Sequence, residues 1–242
     1  MRIGPFLFRP KTIPTLVTLL LLPLLLGLGV WQLDRAEQKR EIMRSRASGA
    51  EAAVLDLNRA QPGYDEARHR QARLRGRYDP QRQFLLDNQI RNGRAGYHVI
   101  TPLRLADGSG AVLVDRGWVP APPRRSRLPD IEITAEMRTV HGQVDDGPGV
   151  GIRMGEPAVE ARWPRRLAYL DYGYMGSALP YPLLSDYLVQ LDPAAPDGYV
   201  REWERVEFGP ERHVGYAVQW FALALALFLI YLLVNTRRVT HE

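Results

Sequence analysis

The clearest pattern in the chain is a pair of uncharged apolar segments near its two ends. Residues 13–33 and 214–234 are each 21 residues long and contain no Asp, Glu, Lys or Arg. At ~1.5 Å of rise per residue, either segment would span roughly 30 Å as a helix, the thickness of the hydrocarbon core of a bilayer. The pattern predicts two transmembrane helices around a domain of residues 34–213, with short ends at residues 1–12 and 235–242.

The first apolar segment could also be a cleaved signal peptide, because it follows Arg2, Arg9 and Lys11. Its apolar stretch is too long for that, no small-x-small cleavage pattern follows, and the next residues are the charged run DRAEQKR. An uncleaved anchor is therefore favoured. No Ser-rich and Arg-rich transit peptide precedes it, which favours a bacterial protein over an imported organellar one.

Basic residues at both ends of the chain favour a cytoplasmic location for residues 1–12 and 235–242. The basic residues that directly follow the first segment argue for the reverse orientation. Long translocated domains largely escape this rule, so we expect a multi-pass protein of the bacterial inner membrane with a periplasmic domain.

Between the two segments, short alternating stretches indicate β-strands. In HRQARLRGRY, three arginines alternate with Ala72, Leu74, Gly76 and Tyr78, which is the period-2 pattern of a half-buried strand. The arginine row could bind acidic groups, but a solvated sheet face is the favoured interpretation.

Turn residues separate the further predicted strands. Asn92-Gly93 predicts a tight turn between strands at residues 84–87 and 97–103, and the turn at residues 107–110 leads into a strand at residues 111–115. RTVHGQV, LAYLD and YLVQLD are also predicted to be strands, whereas the polar residues 34–53 predict a helical extension of the first segment. The expected fold class is a membrane protein with two transmembrane α-helices flanking a mainly β, α+β domain, an antiparallel barrel or sandwich.

Composition excludes several kinds of site. The 242-residue chain has no cysteine, which excludes disulfides, thiolate metal sites, covalent c-type haem attachment and cysteine nucleophiles. No hydrolase nucleophile elbow or phosphate-binding glycine loop is found, so we expect no catalytic residues and no enzymatic activity. The net charge of +5 is modest and, with the domain outside the cytoplasm, does not indicate nucleic-acid binding.

A polar and aromatic cluster stands at the start of the second apolar segment. His213, Tyr216, Ala217 and Trp220 follow the spacing i, i+3, i+4 and i+7, which places them on one face of the predicted helix. At the matching end of the first segment stand four further residues of interest, Gly29, Trp31, Gln32 and Arg35.

The opposite face of the second segment carries small residues. Gly215, Ala222 and Ala226 lie roughly opposite His213, together with Gln219. Small residues allow two helices to approach closely, and Gln219 could form a hydrogen bond across such an interface. We therefore expect this face to be the packing face of the helix.

Each residue of the polar cluster also has a simpler interpretation. The tryptophans could belong to interfacial belts, the arginines could end the spans, and the histidine could face water. Together, an imidazole able to ligate iron, aromatic side chains able to stack on a porphyrin, and guanidinium groups able to pair with propionates could form a haem pocket at the membrane surface. The residues alone leave both interpretations open. The candidate cofactor-binding residues are His213, Tyr216, Trp220, Trp31 and Arg35, with His213 the candidate metal ligand.

Four motifs, in order, resemble the Surfeit-locus family of cytochrome c oxidase assembly factors. They are GVWQLDRAEQK, FLLDNQIRNGRAGYHVITPL, VLVDRGWVP and HVGYAVQWFALA, and the resemblance runs from Gly29 to about Ala224. It implies an inner-membrane protein that acts in maturation of the oxidase catalytic subunit and binds haem a transiently. His213 matches the position implicated in the family as a haem ligand. The resemblance assigns a structural or partner-facing role to the domain motifs, at Gly96, Tyr97, Arg116, Gly117 and Trp118.

The partners implied by the resemblance are the oxidase catalytic subunit, haem a synthase and membrane lipid, with no nucleic acid. An alternative function is a cofactor-free membrane scaffold that stabilises the nascent oxidase subunit by helix packing. This alternative relies on the small-residue face with Gln219.

Overall fold

The computed structural model describes residues 2–3, 6–124, 127–148, 162–203 and 209–238. The chain forms two compact units, the helical unit of Met1–Arg44 and Val206–Glu242, and the β domain of Ser45–Arg205.

Within the described residues, the structure has four helices and eleven strands. The helices are α1 (Thr12–Glu51), α2 (Tyr64–Ala67), α3 (Tyr172–Ser177) and α4 (Pro210–Asn235). The strands are β1 (Arg2–Ile3), β2 (Phe6–Phe8), β3 (Leu55–Asp56), β4 (Gln71–Tyr78), β5 (Phe84–Arg91), β6 (Arg94–Leu105), β7 (Ala111–Pro120), β8 (Met137–Asp145), β9 (Arg165–Leu167), β10 (Leu183–Leu191) and β11 (Thr236–Arg238).

Helices α1 and α4 contain the two apolar segments. Both are long and apolar enough to cross a membrane, and only 11% of the most apolar window of each is buried inside the chain. A core helix of a water-soluble protein would be mostly buried, so these apolar surfaces are available to lipid. The prediction of two spanning-length helices flanking a mainly β domain is confirmed. Helix α1 continues through the charged residues to Glu51, as the helical extension predicts.

The two long helices of the helical unit pack against each other in antiparallel orientation. The main-chain N–H of Lys11 donates to Oδ1 of Asn235 over 2.6 Å, and Thr15 Oγ1 lies 3.2 Å from Tyr231 Oη. Further along, the backbone of Gly29 faces the ring of Phe221. The residue numbers rise along α1 as they fall along α4, which defines the antiparallel register.

The face of α4 that packs on α1 is the face of His213. Ala217 and Ala224 are buried, and His213 and Trp220 are half-buried. The opposite face is exposed along its length, at Gly215, Gln219, Ala222 and Ala226. The prediction that this small-residue face is the packing face is therefore wrong within the chain.

The reason for this reversal is that α1 supplies small residues to the interface. A Cβ atom added to Gly29 would lie 2.6 Å from Cε1 of Phe221, closer than non-bonded atoms approach. Because Gly29 has no side chain, the ring of Phe221 on α4 can lie against the backbone of α1.

A small antiparallel sheet closes the far end of the helical unit. Strand β2 pairs with β1 on one side and β11 on the other. The main-chain N–H of Arg9 donates to the carbonyl of Asn235 over 2.7 Å, which ties the start of the chain to the end of α4.

The β domain is built on one eight-stranded sheet of order β3-β4-β8-β10-β7-β6-β5-β9. An additional pairing of β4 with β6 links Gly76–Tyr78 to Leu103–Leu105. Strands β4, β8, β10, β7 and β6 therefore form a ring of hydrogen-bonded neighbours, and the sheet folds on itself into a sandwich-like arrangement. Buried aliphatic and aromatic side chains, among them Leu74, Val112 and Tyr187, fill the space between its layers.

Several predicted strands are confirmed. In β4, Ala72, Leu74, Gly76 and Tyr78 are buried while the intervening arginines are exposed. Asn92 and Gly93 both have positive φ, 48° and 73°, as the tight turn between β5 and β6 requires.

Two details of the predicted sheet are wrong. The sheet is not wholly antiparallel, because β7–β10, β3–β4 and β5–β9 are parallel pairs. LAYLD is a strand only at Leu167. Its Asp171 instead caps α3, since the carboxylate accepts a hydrogen bond from the main-chain N–H of Tyr174.

Candidate functional site

The start of α4 brings the candidate histidine to the helix interface. Gly209 is the N-cap residue and Pro210 follows it, where the missing N–H of proline costs no helical hydrogen bond. Glu211 lies in the first turn, where a negative charge is favourable near the helix N-terminus. His213 therefore lies at the end of the first turn, on the row of side chains that faces α1.

His213 is held by a hydrogen bond between the two helices. Its Nδ1 atom lies 2.8 Å from Oε1 of Gln32 on α1. An amide oxygen can only accept, so Nδ1 carries the proton and Nε2 of the neutral ring keeps its lone pair. This is the arrangement by which a second side chain orients a metal-binding histidine.

Two of the candidate aromatic residues are exposed and each is covered by an arginine. The Arg35 guanidinium lies 5.8 Å from the centre of the Trp31 ring, and the Arg212 guanidinium lies 5.9 Å from that of Tyr216. Trp31 is 50% exposed and Tyr216 is 41% exposed. These side chains offer both π-faces and positive charge on the surface of the helical unit.

The register places these residues together along the helix pair. Because Gln32 meets His213, Trp31 and Tyr216 both lie within about one turn of that level. At about 100° per residue, Trp31 and Tyr216 are each displaced by a quarter turn or more from the contacting row of their own helix. On each helix, the displacement from the contacting row is in the same rotational direction. In an antiparallel pair, two such displacements bring both side chains to the same side of the pair.

The structure therefore links only part of the candidate set by direct contact. His213 contacts Gln32, and Arg35 contacts Trp31, while Trp220 lies half-buried two turns along α4 from His213. Arg35 also donates to Oε1 of Gln38 over 2.8 Å, which fixes its head group near the end of the apolar segment.

Gln32 joins the candidate site through its hydrogen bond to His213, a contact that the sequence pattern did not predict. It is polar within an uncharged segment, which is a signal of function in a membrane helix. It follows Gly29 by three residues and precedes Ala36 by four, the spacing of one helix face. Its partner could not be named without the register of the two helices.

Within the described part of the helical unit, one histidine, His213, is present rather than a complete metal cage. Across the residues that the structure describes, no group of three or more His, Cys, Asp or Glu could hold a metal ion. A bare ion would need several protein ligands, whereas haem brings its own ring nitrogens and needs only an axial ligand. The donor set of the helical unit therefore fits haem better than a free metal ion.

In the β domain, the arginine of the RGWVP motif is a buried structural centre. Arg116 is 2% exposed, and it donates to the Asp197 carbonyl over 2.8 Å and to Oε1 of Gln83 over 3.0 Å. Its guanidinium also lies 4.9 Å from the ring centre of Tyr199. Burial lowers the pKa of Arg116, because it disfavours the charged form.

The residues beside Arg116 join the GYHVITPL and RGWVP motifs. Asp115 is fully buried, and its carboxylate lies 2.8 Å from Nδ1 of His98 and accepts the main-chain N–H of Gly117 over 2.9 Å. Gly117 has a φ of 106°, which few other residues adopt. The ring of Trp118 lies against the backbone of Gly96, where no side chain would fit.

The chain also resembles known proteins over most of its length. A family model described as the SURF1 family matches residues 19–225, which include most of α1, the whole β domain and the start of α4. The chain belongs to the SURF1 family. The resemblance drawn from the four sequence motifs is therefore confirmed.

Individual SURF1 relatives show the same similarity with different coverage. A SURF1-like protein of Rickettsia felis is 23% identical, over 90% of this chain and 95% of that protein. Surfeit locus protein 1 of Mus musculus is 27% identical, over 83% of this chain and 68% of that protein. A SURF1-like protein of Monosiga brevicollis is 31% identical over 48% of this chain, and the match spans about half of that protein, 51%.

Proposed function

We propose that this SURF1-family protein is an assembly factor for a haem-copper cytochrome c oxidase and that it binds haem a transiently at His213. Its partners would be the oxidase catalytic subunit and haem a synthase. Its β domain would lie on the periplasmic side of a bacterial inner membrane, with residues 1–12 and 235–242 in the cytoplasm. The observation that carries the proposal is the hydrogen bond from His213 to Gln32.

His213 would be the axial ligand. Gln32 holds the proton on Nδ1 and leaves the Nε2 lone pair for iron. Haem, when bound, would supply the iron centre and a flat apolar ring. Trp31, Tyr216 and Trp220 would provide aromatic surface for that ring, and Arg35 would provide a cation for a propionate.

Binding through one protein ligand suits a transient carrier. Held by one histidine and by half-exposed aromatic rings, the haem would remain accessible to the receiving subunit. Release would then require the exchange of one bond. A storage site would instead enclose the haem with two protein ligands.

The proposal is tested by the absorption spectrum of the protein purified in detergent from cells that make haem a. We expect the wild-type protein and His141→Ala, a change at an exposed histidine of β8, to carry haem a, and His213→Ala to lose most of it. A wild-type preparation without haem, or equal haem contents in all three proteins, would refute haem binding at His213.

A cofactor-free scaffold is the second candidate function, because the small-residue face of α4 is exposed. A helix of the oxidase subunit could pack there closely. Oxidase content in membranes separates the two functions. We expect His213→Ala to lower it more than Ala222→Leu does; the opposite order would favour the scaffold.

A further inference from the structure

The β domain has a basic cleft, unrelated to the haem proposal, at the place where β4 pairs with β6. Its volume is about 490 Å³, within the usual range of small-molecule sites. Three arginines, Arg77, Arg82 and Arg104, line it together with Asp79 and Tyr181.

Two of these arginines are placed directly opposite each other. Arg77 on β4 and Arg104 on β6 are register partners in the antiparallel pair, so their side chains leave the same face of the sheet. Both are exposed at the cleft. Like charges directly opposite each other destabilise a sheet. The pair of arginines therefore lowers the stability of the domain when no ligand is bound.

Neither of the two paired arginines is neutralised by a carboxylate within the part of the chain that the structure describes. Arg77 donates to the main-chain carbonyl of Ala135 over 3.1 Å. The Arg104 guanidinium lies 5.2 Å from the centre of the Tyr181 ring. Both head groups are thus positioned by neutral groups and keep their charge available.

The acidic residue of the cleft is already compensated. Asp79 is 6% exposed, and its Oδ2 accepts from Tyr181 Oη over 2.7 Å and from Arg82 over 3.3 Å. The pair of Asp79 and Arg82 contributes no net charge. The cleft therefore has a surplus of two positive charges, at Arg77 and Arg104.

Tyr181 connects the buried carboxylate to the exposed cation. Its hydroxyl is tied to Asp79 while its ring supports the Arg104 guanidinium. Burial and this carboxylate raise the pKa of Tyr181, so the phenol stays protonated and adds no negative charge to the cleft. The head group of Arg104 is consequently oriented before any ligand arrives.

We propose that this cleft is a binding site for the anionic group of a small ligand, a phosphate or a carboxylate, held between Arg77 and Arg104. The planar forks of two guanidinium groups match the oxygen geometry of either anion. Such a ligand would also remove the repulsion between the two arginines. An anionic lipid headgroup and a free metabolite share this chemistry.

The test uses the full chain in neutral detergent, in a buffer without phosphate or carboxylate and at constant ionic strength. Inorganic phosphate, glycerol 3-phosphate and citrate are titrated separately while Tm and the binding isotherm are recorded. The variants are Arg77→Gln and Arg104→Gln, with Arg75→Gln as the matched control. Arg75 is an exposed arginine of the same strand that does not line the cleft.

We expect at least one of the three anions to raise Tm in the wild type and in Arg75→Gln. Removal of either cleft arginine should weaken its binding by about tenfold or more, the effect of one lost charge-assisted contact. A preference for glycerol 3-phosphate would indicate a lipid headgroup, and a preference for inorganic phosphate or citrate a free anion. No response to any of the three anions, or equal responses in all variants, would overturn the proposal.

The Tm values of the ligand-free proteins distinguish a purely structural role for Arg104 from a role in anion binding. If Arg104 serves only to pack on Tyr181, Arg104→Gln lowers Tm without any anion. We expect its Tm to equal or exceed that of the wild type, because the change removes a like-charge pair. A lower Tm combined with unchanged anion binding would contradict the site.

Discussion

Nδ1 of His213 lies 2.8 Å from Oε1 of Gln32, and this hydrogen bond joins α4 to α1. It is formed beside exposed Trp31 and Tyr216, at the end of each apolar segment. The bond therefore has two effects, since it adds a contact between the helices and selects the tautomer of the imidazole. Both effects can be measured separately.

Gln32→Leu should weaken haem binding while leaving the helices paired. Leucine has nearly the same size but cannot accept the Nδ1 proton, so the imidazole loses its fixed orientation. Loss of such a supporting contact typically lowers metal affinity by about 10–100-fold. Titration of the detergent-solubilised protein with haem measures the change.

The matched control for this experiment is Gln219→Leu, because Gln219 lies on the exposed face of α4. It should bind haem as the wild type does. If Gln32→Leu also retained wild-type affinity, Gln32 would have no part in orienting His213.

Gly29→Val should push the two long helices apart, because its Cβ atom would meet the ring of Phe221 at 2.6 Å. The chain has no cysteine, so a short thiol-reactive cross-linker that joins Thr15→Cys to Tyr231→Cys can report the pairing without background. These positions have hydroxyls 3.2 Å apart. We expect efficient cross-linking that falls several-fold when Gly29→Val is added.

Gly27→Val is the control for helix pairing, because a Cβ atom at Gly27 meets nothing within 4 Å. It adds the same β-branched side chain to the same helix. Equal cross-linking with valine at either position would show that Gly29 does not set the approach of the helices.

Arg116→Lys should destabilise the β domain by about 1.5–3 kcal/mol, the range for loss of a hydrogen bond that involves a charged group. Lysine keeps the positive charge but cannot donate at once to Gln83 and to the Asp197 carbonyl, or lie flat on Tyr199. Thermal unfolding of the full chain measures the loss. Arg94→Lys, at an exposed position of β6, should leave Tm within about a degree of the wild type.

His69 should make the β domain less stable as the pH falls below about 6.5, the ordinary pKa of histidine. Burial lowers the pKa of His69, and the nearby cations Arg68 and Arg46 lower it further. The unfolded chain therefore takes up a proton at higher pH than the folded chain. The stability is complete above the unfolded pKa and is lost as the pH falls through the folded pKa.

His69→Asn should remove this pH dependence. His69 has a φ of 63°, a backbone conformation that asparagine also adopts. We expect the fall in Tm between about pH 7 and 5 to be smaller in the variant than in the wild type. An identical fall would show that other groups cause the acid sensitivity.

Local sequence patterns predicted the elements that have one buried face and one exposed face. The alternation of arginine with Leu74 and Tyr78 in β4 reports a sheet with one buried face and one wet face. Asn92-Gly93 predicts its turn because the turn itself requires positive φ values at these two residues. The length of the two apolar segments directly predicts two helices of membrane-spanning length.

Long-range relationships were not readable from such patterns. The parallel pairing of β7 with β10 joins residues about 75 positions apart, and no local signal encodes it. In α4, hydropathy cannot distinguish a face in lipid from a face on another helix, so the sequence did not show that the His213 face packs on α1. The deciding contact was on α1, where Gly29 admits Phe221.

The candidate site was readable as a set of residue types, but its connections were not. His213 was chosen from its position at the mouth of the apolar segment. Its link to Gln32 depends on the antiparallel register of two helices 181 residues apart in sequence.

The position of β10 within the sheet has a consequence for biogenesis. This strand lies between β8 and β7, yet it is the last of the domain to be synthesised. Until residues 183–191 have been synthesised, β7 and β8 each lack a neighbour and leave unpaired edges open to wrong partners. The sheet can therefore close only when almost all of the domain has been synthesised.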